Sequence, residues 1–423
     1  MGSTTSVEAA VDELFDSMVK SRFIEMFGQK EPNESFANCV DNMLKGPFGS
    51  DIKKDLFVPK SVDTYKVYIQ VNAIQKDQNL GEYYISKDYY NQKMYRFKVD
   101  PGDYLITCDG TMGKWIRLDN DIEPGIISAS LLKIKIDESI LNPRYFESLW
   151  EYNMLPSLLS QVRNGCLKHL PSAKVIGNER ILLPSLEEQK QFAMFKEQVD
   201  KSKVICKRVV SQFDDLVKSR FIEMFGHTDK NEKSFPLLPL NEVSELITDG
   251  SHFSPLESPS GQYPMLSVKD MMDDGFDYSG AKRIDEKTYK DLVSNGCQPK
   301  SGDVLIAKDG ATAFQKGFVL SNSDNQVLLS SIAIIRPDQK VINSHYLLAY
   351  LFNESVRQDV LRNRVSGTAI TRIILKELKK IKVMVPPIDL QNQFVLFSNE
   401  VDKSKFELIR KIENNIVGGH RFG

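Results

Sequence analysis

Two regimes of apolar spacing alternate along the chain. From Leu186 to Phe225 no Pro or Gly interrupts the sequence, and Phe192, Phe195, Val199, Cys206, Val209, Phe213 and Leu216 fall on heptad a and d positions, with Ser202 filling one gap. Sustained a/d spacing with charged flanks predicts a coiled-coil helix, about 60 Å long for some 40 residues at 1.5 Å each. The stripe recurs at Phe394, Phe397, Val401 and Leu408, and the N-terminal segment offers Val11, Leu14, Phe15 and Met18. Gly28 and Gly226 follow the last apolar turns, where a helix C-cap is expected. Ordinary amphipathic core helices would give a similar stripe. Between these segments, 32–183 and 230–384 mix short β-branched and aromatic runs with Gly, Pro and Asn turns. Tyr65–Val71, Tyr104–Thr107, Val304–Ala307 and Ser331–Arg336 read as strands, so each segment is predicted to be an α+β module.

A repeat decides between the helix readings. VKSRFIEMFG occurs at Val19–Gly28 and again, identically, at Val217–Gly226. QFAMFKEQVDKSK at Gln191–Lys203 returns as QFVLFSNEVDKSK at Gln393–Lys405. Both elements run together in the middle and are split between the ends, so joining the termini would rebuild the central segment. The chain therefore reads as a circularly organised pair of equal units with pseudo-two-fold character: a repeat helix (1–28), a module (32–183), a connector helix (186–226), a second module (230–384) and a C-terminal repeat helix (388–417). This arrangement favours long helices pairing as an antiparallel coiled coil.

The modules are diverged copies. Gly102-Asp103-Tyr104-Leu105-Ile106 precedes Asp109-Gly110, and Gly302-Asp303-Val304-Leu305-Ile306 precedes Asp309-Gly310. Ile127–Ile134 parallels Leu328–Ile335, and Leu183-Pro184 and Val385-Pro386 open the two following helices. Outside these marks little is shared, as suits one scaffold reading two ligands; drift after duplication is the plainer alternative.

Composition adds limits. Charged residues make up 26% of the 423 residues and the net charge is −2. That balance counts against a tight, independent DNA binder, because phosphate contacts need Lys and Arg; it leaves open a reader whose partners supply backbone affinity. No apolar run reaches membrane-span length and the start lacks a signal-peptide pattern, so a cytoplasmic protein is expected. Five scattered cysteines without a C-x-x-C pair fit reduced thiols rather than a disulfide framework or zinc site.

With these features in place the sequence resembles the specificity subunits of type I restriction–modification systems. The resemblance covers nearly the whole chain. It rests on Leu44–Lys53 (LKGPFGSDIK), Thr248–Pro255 (TDGSHFSP), the G-D-hydrophobic-D-G elements, and P-x-x-x-x-Q-x-x-F from Pro184 to Phe192 and from Pro386 or Pro387 onward. It implies that each module is a target-recognition domain for one half of a bipartite double-stranded DNA site. The helices would set the gap and dock two methyltransferase subunits, and motor–nuclease subunits would join for cleavage. S-adenosylmethionine, ATP and magnesium are then expected on the partners and no cofactor on this chain. The C-terminal helix is shorter than the resemblance leads one to expect, which suggests trimmed or permuted ends.

Catalytic patterns are weak. Asn142-Pro143-Arg144-Tyr145 approaches the N-P-P-Y of amino-methyltransferases, which holds a flipped adenine. Arg144 breaks that motif, and Asn343-Ser344-His345-Tyr346 stands at the matching place in the second module; both read better as Asn helix caps. Gly110–Lys114 lacks the phosphate-loop spacing. Pro337-Asp338 with Glu377-x-Lys379 makes a poor nuclease core, and the histidines offer no metal-ligand pair. A stand-alone methyltransferase or nuclease and a coiled-coil protein scaffold remain the alternatives.

For DNA contact the expected residues are, in the first module, Lys45, Ser50, Lys53, Lys54, Thr111, Lys114, Arg163, Asn164, Lys168 and His169. In the second they are Thr248, Ser251, His252, Lys269, Lys308, Thr312, Arg364, Thr368 and Arg372. Cations suit phosphates, and hydroxyl, amide and imidazole groups suit base edges.

Overall fold

The computed structural model describes residues 4–161, 169–258, 260–366 and 371–419. Three long helices carry the repeats: Thr4–Phe27, Leu186–Phe225 and Ile388–Gly419. Gly226 ends the central helix in a left-handed conformation (φ 77°), with its N–H on Ile222 O; Gly28 makes the same bond to Ile24 O at 2.7 Å. The chain divides into two compact units, Phe15–Lys201 and Met1–Leu14 with Ser202–Gly423, so the division cuts the N-terminal and central helices.

Within the first unit the N-terminal helix runs antiparallel to the central one. Arg22 lies over the Phe195 ring (5.9 Å), Phe23 meets Phe192 edge-on (5.6 Å), and Lys30 pairs with Glu188. The second unit repeats the arrangement between the central and C-terminal helices: Arg220 lies over Phe397 (5.6 Å), Phe221 meets Phe394 edge-on (5.4 Å), and Lys405 pairs with Asp214. The repeated sequences thus make the Arg-over-Phe and Phe–Phe contacts twice, whereas Lys30–Glu188 and Lys405–Asp214 join positions that the repeat does not relate.

The seam follows the expected heptads only at first. Phe192, Phe195, Val199 and Cys206 are buried, but Val210 and Val217 are buried where Val209 and Leu216 were expected. Val209 is half-buried and Leu216 exposed. A helix of 3.6 residues per turn drifts about 20° per heptad from a 3.5-residue stripe, which moves the buried line by one residue after two heptads. Phe394 and Val401 are buried, whereas Phe213, Phe397 and Leu408 are half-buried.

Both modules have one topology. In the first, β1 (Val40–Lys45), β2 (Thr64–Tyr68), β3 (Tyr84–Ser86), β4 (Tyr104–Thr107), β5 (Trp115–Arg117), β6 (Gly125–Ile127) and β7 (Leu131–Ile136) form sheets of order β1-β7-β4-β5 and β3-β2-β6. In the second, β8 (Ser244–Asp249), β9 (Tyr263–Leu266), β10 (Lys282–Ile284), β11 (Val304–Ala307), β12 (Gly317–Val319), β13 (Val327–Leu328) and β14 (Ile332–Pro337) form β8-β14-β11-β12 and β10-β9-β13. Even the irregularity repeats: the edge strand shifts register at Val40/Asn42 in one module and at Ser244/Leu246 in the other.

The repeated G-D element explains the central strands. Gly102 and Gly302 turn with φ of 80° and 87°, a conformation glycine adopts without a Cβ penalty. The following carboxylates close each turn: Asp103 accepts from Asp100 N–H at 2.8 Å and Asp303 from Lys300 N–H at 2.7 Å. β4 and β11 are buried at every residue, which accounts for their unbroken apolar runs. One strand reading changes. Tyr65–Val71 is strand only to Tyr68, because Asn72 accepts the Ile69 N–H at 2.8 Å and starts a helix at Gln70.

Candidate nucleic-acid interface

The chain leaves β11 at Lys308, beside the end of edge strand β8 at Asp249. Lys308 Nζ lies 3.3 Å from Asp249 and 3.6 Å from Asp309. Arg372 Nε donates to Asp309 at 2.8 Å, and His252 Nε2 lies 3.2 Å from Asp249. Backbone bonds fix the ends of this row, Gly310 N–H to Thr371 O and Ile373 N–H to Lys308 O. Along the row His252–Asp249–Lys308–Asp309–Arg372 each carboxylate stands between two nitrogen groups, and the two ends, His252 and Arg372, are exposed.

The first module builds the same crest from other side chains. Lys45 ends β1 where Asp249 ends β8, and Cys108 follows β4 where Lys308 follows β11. The cation has therefore changed strands. Burial pushes the Cys108 thiol up to about 12, while the nearby Lys45 ammonium opposes that shift. The next carboxylate is kept: Asp109 binds His169 Nδ1 as Asp309 binds Arg372, through a bridge between the same two backbone positions. Thr107 Oγ receives the Lys114 N–H at 3.1 Å, and Trp150 Nε1 donates to Gly113 O at 3.0 Å, so Thr111 and Lys114 are held on a braced loop and remain exposed.

The other expected contacts divide. Ser50, Lys53 and Lys54 are exposed on the turns after β1, and Lys269 is exposed after β9. Thr248 and Thr312 are half-buried. Arg364 is half-buried and turned onto Glu377 at 3.3 Å, so part of its charge is already matched. Two expectations need correction. Lys308 is only 4% exposed and serves to neutralise two carboxylates. Ser251 is buried too; its hydroxyl accepts the Phe253 N–H at 3.1 Å and donates to Phe253 O at 2.6 Å, shaping the loop. Arg163, Asn164, Lys168 and Thr368 lie outside the described residues. Sequence reading missed Asp109, Asp249 and Asp309 as organisers of the crest; their repeated D-G context was the available signal.

The methyltransferase-like tetrapeptides have structural work. Asn142 Oδ1 caps the helix Pro143–Leu149 by accepting from Arg144 N–H at 3.0 Å, and Asn343 caps Ser344–Leu351 through His345 N–H at 2.9 Å. Tyr145 and Tyr346 are fully buried, with hydroxyls on Leu182 O and Met384 O; a buried ring cannot stack on a flipped base. Among the described residues no group of three His, Cys, Asp or Glu side chains is placed to hold a metal ion, and no helix is long and apolar enough to cross a membrane.

Comparison with known proteins places this architecture. Residues 235–417 match the type I restriction modification DNA specificity domain. The type I restriction enzyme EcoBI specificity subunit of Escherichia coli is 22% identical over 75% of this chain and 71% of its own length. The MjaVIII specificity subunit of Methanocaldococcus jannaschii is 21% identical over 94% and 92%. Among solved structures, the S subunit of a type I restriction-modification system from M. genitalium is 12% identical, covers 91% of this chain and 92% of its own, and overlays with a TM-score of 0.44. The chain is thus similar, along most of its length, to specificity subunits of type I restriction–modification systems, and its second module with the helix that follows matches their specificity domain.

Proposed function

We propose that each module reads one half of a bipartite, asymmetric DNA target, and that the chain itself performs no chemistry. The observation that carries this reading is one strand order built twice with different crest residues: Lys45, Cys108 and His169 in one module, Asp249, Lys308 and Arg372 in the other. A common frame holding different donors and acceptors suits two different base sequences. Lys53, Lys54, Lys114, Lys269 and Arg372 would hold phosphates, and Thr111, His169 and His252 would meet base edges.

The helices would form an antiparallel coiled coil with pseudo-two-fold symmetry, fix the gap between half-sites and dock two methyltransferase subunits. Repeat-equivalent positions support the docking. Met194 and Leu396, Val204 and Phe406, and Ile24 and Ile222 are all exposed. Apolar side chains kept outward at the same places in both copies suit two copies of one partner. Motor–nuclease subunits would join this assembly, and S-adenosylmethionine, ATP and magnesium would bind the partners.

The test is incubation of the purified chain with duplex DNA, labelled S-adenosylmethionine and magnesium, with and without its methyltransferase subunits. Methyl transfer is expected only in the mixture, at a single two-part motif. Transfer by the chain alone would refute the non-catalytic role.

A further inference from the structure

Each module presents one strongly exposed aromatic ring on the loop that follows its edge strand. Phe48 follows β1 and is 78% exposed; Phe253 follows β8 and is 71% exposed. Single exposed apolar residues are common on protein surfaces. These two differ in being held, and in occurring on the corresponding loop of modules that otherwise share little sequence, two residues after Gly46 and three after Gly250.

The holding begins at a glycine in both cases. A Cβ on Gly46 would sit 1.9 Å from Ser128 O, and one on Gly250 would sit 2.1 Å from Leu328 O, so each loop starts pressed against the sheet backbone. In the first module Gly46 N–H bonds to Leu131 O at 2.8 Å, Pro47 is buried, and Phe48 O accepts from Asp51 N–H at 2.8 Å. In the second, Ser251 N–H bonds to Leu328 O at 2.7 Å and the Ser251 hydroxyl clamps both backbone groups of Phe253. Different residues thus produce one result, a rigid turn holding a phenyl ring in water. Cations accompany each ring: Lys53 and Lys54 follow Phe48 on exposed turns, and Lys282 Nζ anchors Ser254 beside Phe253 at 2.9 Å.

We propose that Phe48 and Phe253 are specificity-determining residues, each packing its ring against the C5 edge of one pyrimidine in the half-site read by its module. This rests on the reading that each module binds one half-site. The major-groove edge of every base pair carries either a thymine methyl or a cytosine C5–H, the apolar element of the recognition code. A ring fixed before binding pays little ordering entropy to reach it.

The test uses the full chain assembled with its methyltransferase subunits, on duplexes carrying the motif found by sequencing methylated DNA, with a scrambled duplex as control. Phe48→Ala should weaken binding to the motif by about 5- to 10-fold, within the range of one lost base contact, and leave binding to the scrambled duplex unchanged. With the unaltered protein, replacing thymines by uracil or cytosines by 5-methylcytosine, one at a time, should change affinity at one position in each half. At the first-half position uracil in place of thymine should abolish the Phe48→Ala loss, or 5-methylcytosine in place of cytosine should alter it, and Phe253→Ala should couple to the other half alone. Equal loss on both duplexes, no loss, or no coupling to any C5 position would overturn the proposal. An unaltered complex that failed to distinguish motif from scrambled DNA would instead overturn the half-site reading beneath it.

Discussion

Gln189 Oε1 accepts the backbone N–H of Asn142 at 2.8 Å while its Nε2 donates to Ile140 O and Pro184 O. Gln391 makes the same three bonds, to Asn343 N–H at 2.9 Å, Val341 O and Pro386 O. Both glutamines are fully buried. This is the physical content of P-x-x-x-x-Q, and it identifies Pro386 rather than Pro387 as the second motif's start. Replacing Gln189 by Leu would leave a buried donor and two acceptors short of a partner, at about 1–3 kcal/mol for each group left wholly unsatisfied. Urea unfolding should show a loss of about 2–4 kcal/mol; Gln391→Leu should act equally on the second unit. A loss below 1 kcal/mol would mean that water replaces the amide.

Buried and exposed cations should respond to different measurements. Lys308→Met would leave Asp249 and Asp309 without their shared counter-charge, and breaking a buried pair typically costs about 3–5 kcal/mol. The expected outcome is a lower melting temperature. Lys53→Gln and Lys54→Gln should leave melting unchanged and reduce the salt dependence of DNA binding by about one phosphate contact each, a slope change of about 0.9 per contact. A salt-slope change from Lys308→Met without loss of stability would contradict its buried role.

Lys405 is 6% exposed in the helix seam, with Asp214 and Asp402 as partners. Burial pulls its ammonium down, but the hydrogen bonds and charges of the two aspartates outweigh burial and leave it above the usual lysine range. A pKa raised on folding contributes stability in full below the unfolded value, and that stability is lost as pH rises through the folded value. Unfolding free energy should therefore fall above about pH 10.4, the ordinary lysine value, more steeply for the unaltered chain than for Lys405→Met with Asp214→Leu. At neutral pH the double replacement should be close to neutral, whereas Asp214→Ala alone should cost about 2–3 kcal/mol, below the 3–5 of a fully orphaned charge because Asp402 remains. Equal pH slopes in the two proteins would contradict this account.

Much of the frame was legible because it rests on local rules. The identical VKSRFIEMFG segments make matching contacts through Arg22 and Arg220, and Phe23 and Phe221. Asn142 and Asn343 are caps, as their place before an apolar helix implied. What escaped depends on tertiary packing. The seam slipped from Val209 to Val210 because helical drift accumulates with length, and a hydropathy stripe tolerates that error. Lys308 reads as a surface cation until Asp249, distant in sequence, is seen beside it. Ser251 looked like a base-reading hydroxyl, and only the bond to Phe253 shows that it shapes the loop. The common strand order was hidden because strands of two to six residues tolerate almost any apolar side chain.

The central claim is that each module reads its own half-site while the helices only position them. It is tested most directly by replacing residues 32–183 with the corresponding module of a relative, assembling the hybrid with the methyltransferase subunits, and sequencing the methylated sites. One half of the motif should change, and the other half and the gap should stay as they were. A change in both halves, or in neither, would contradict the account.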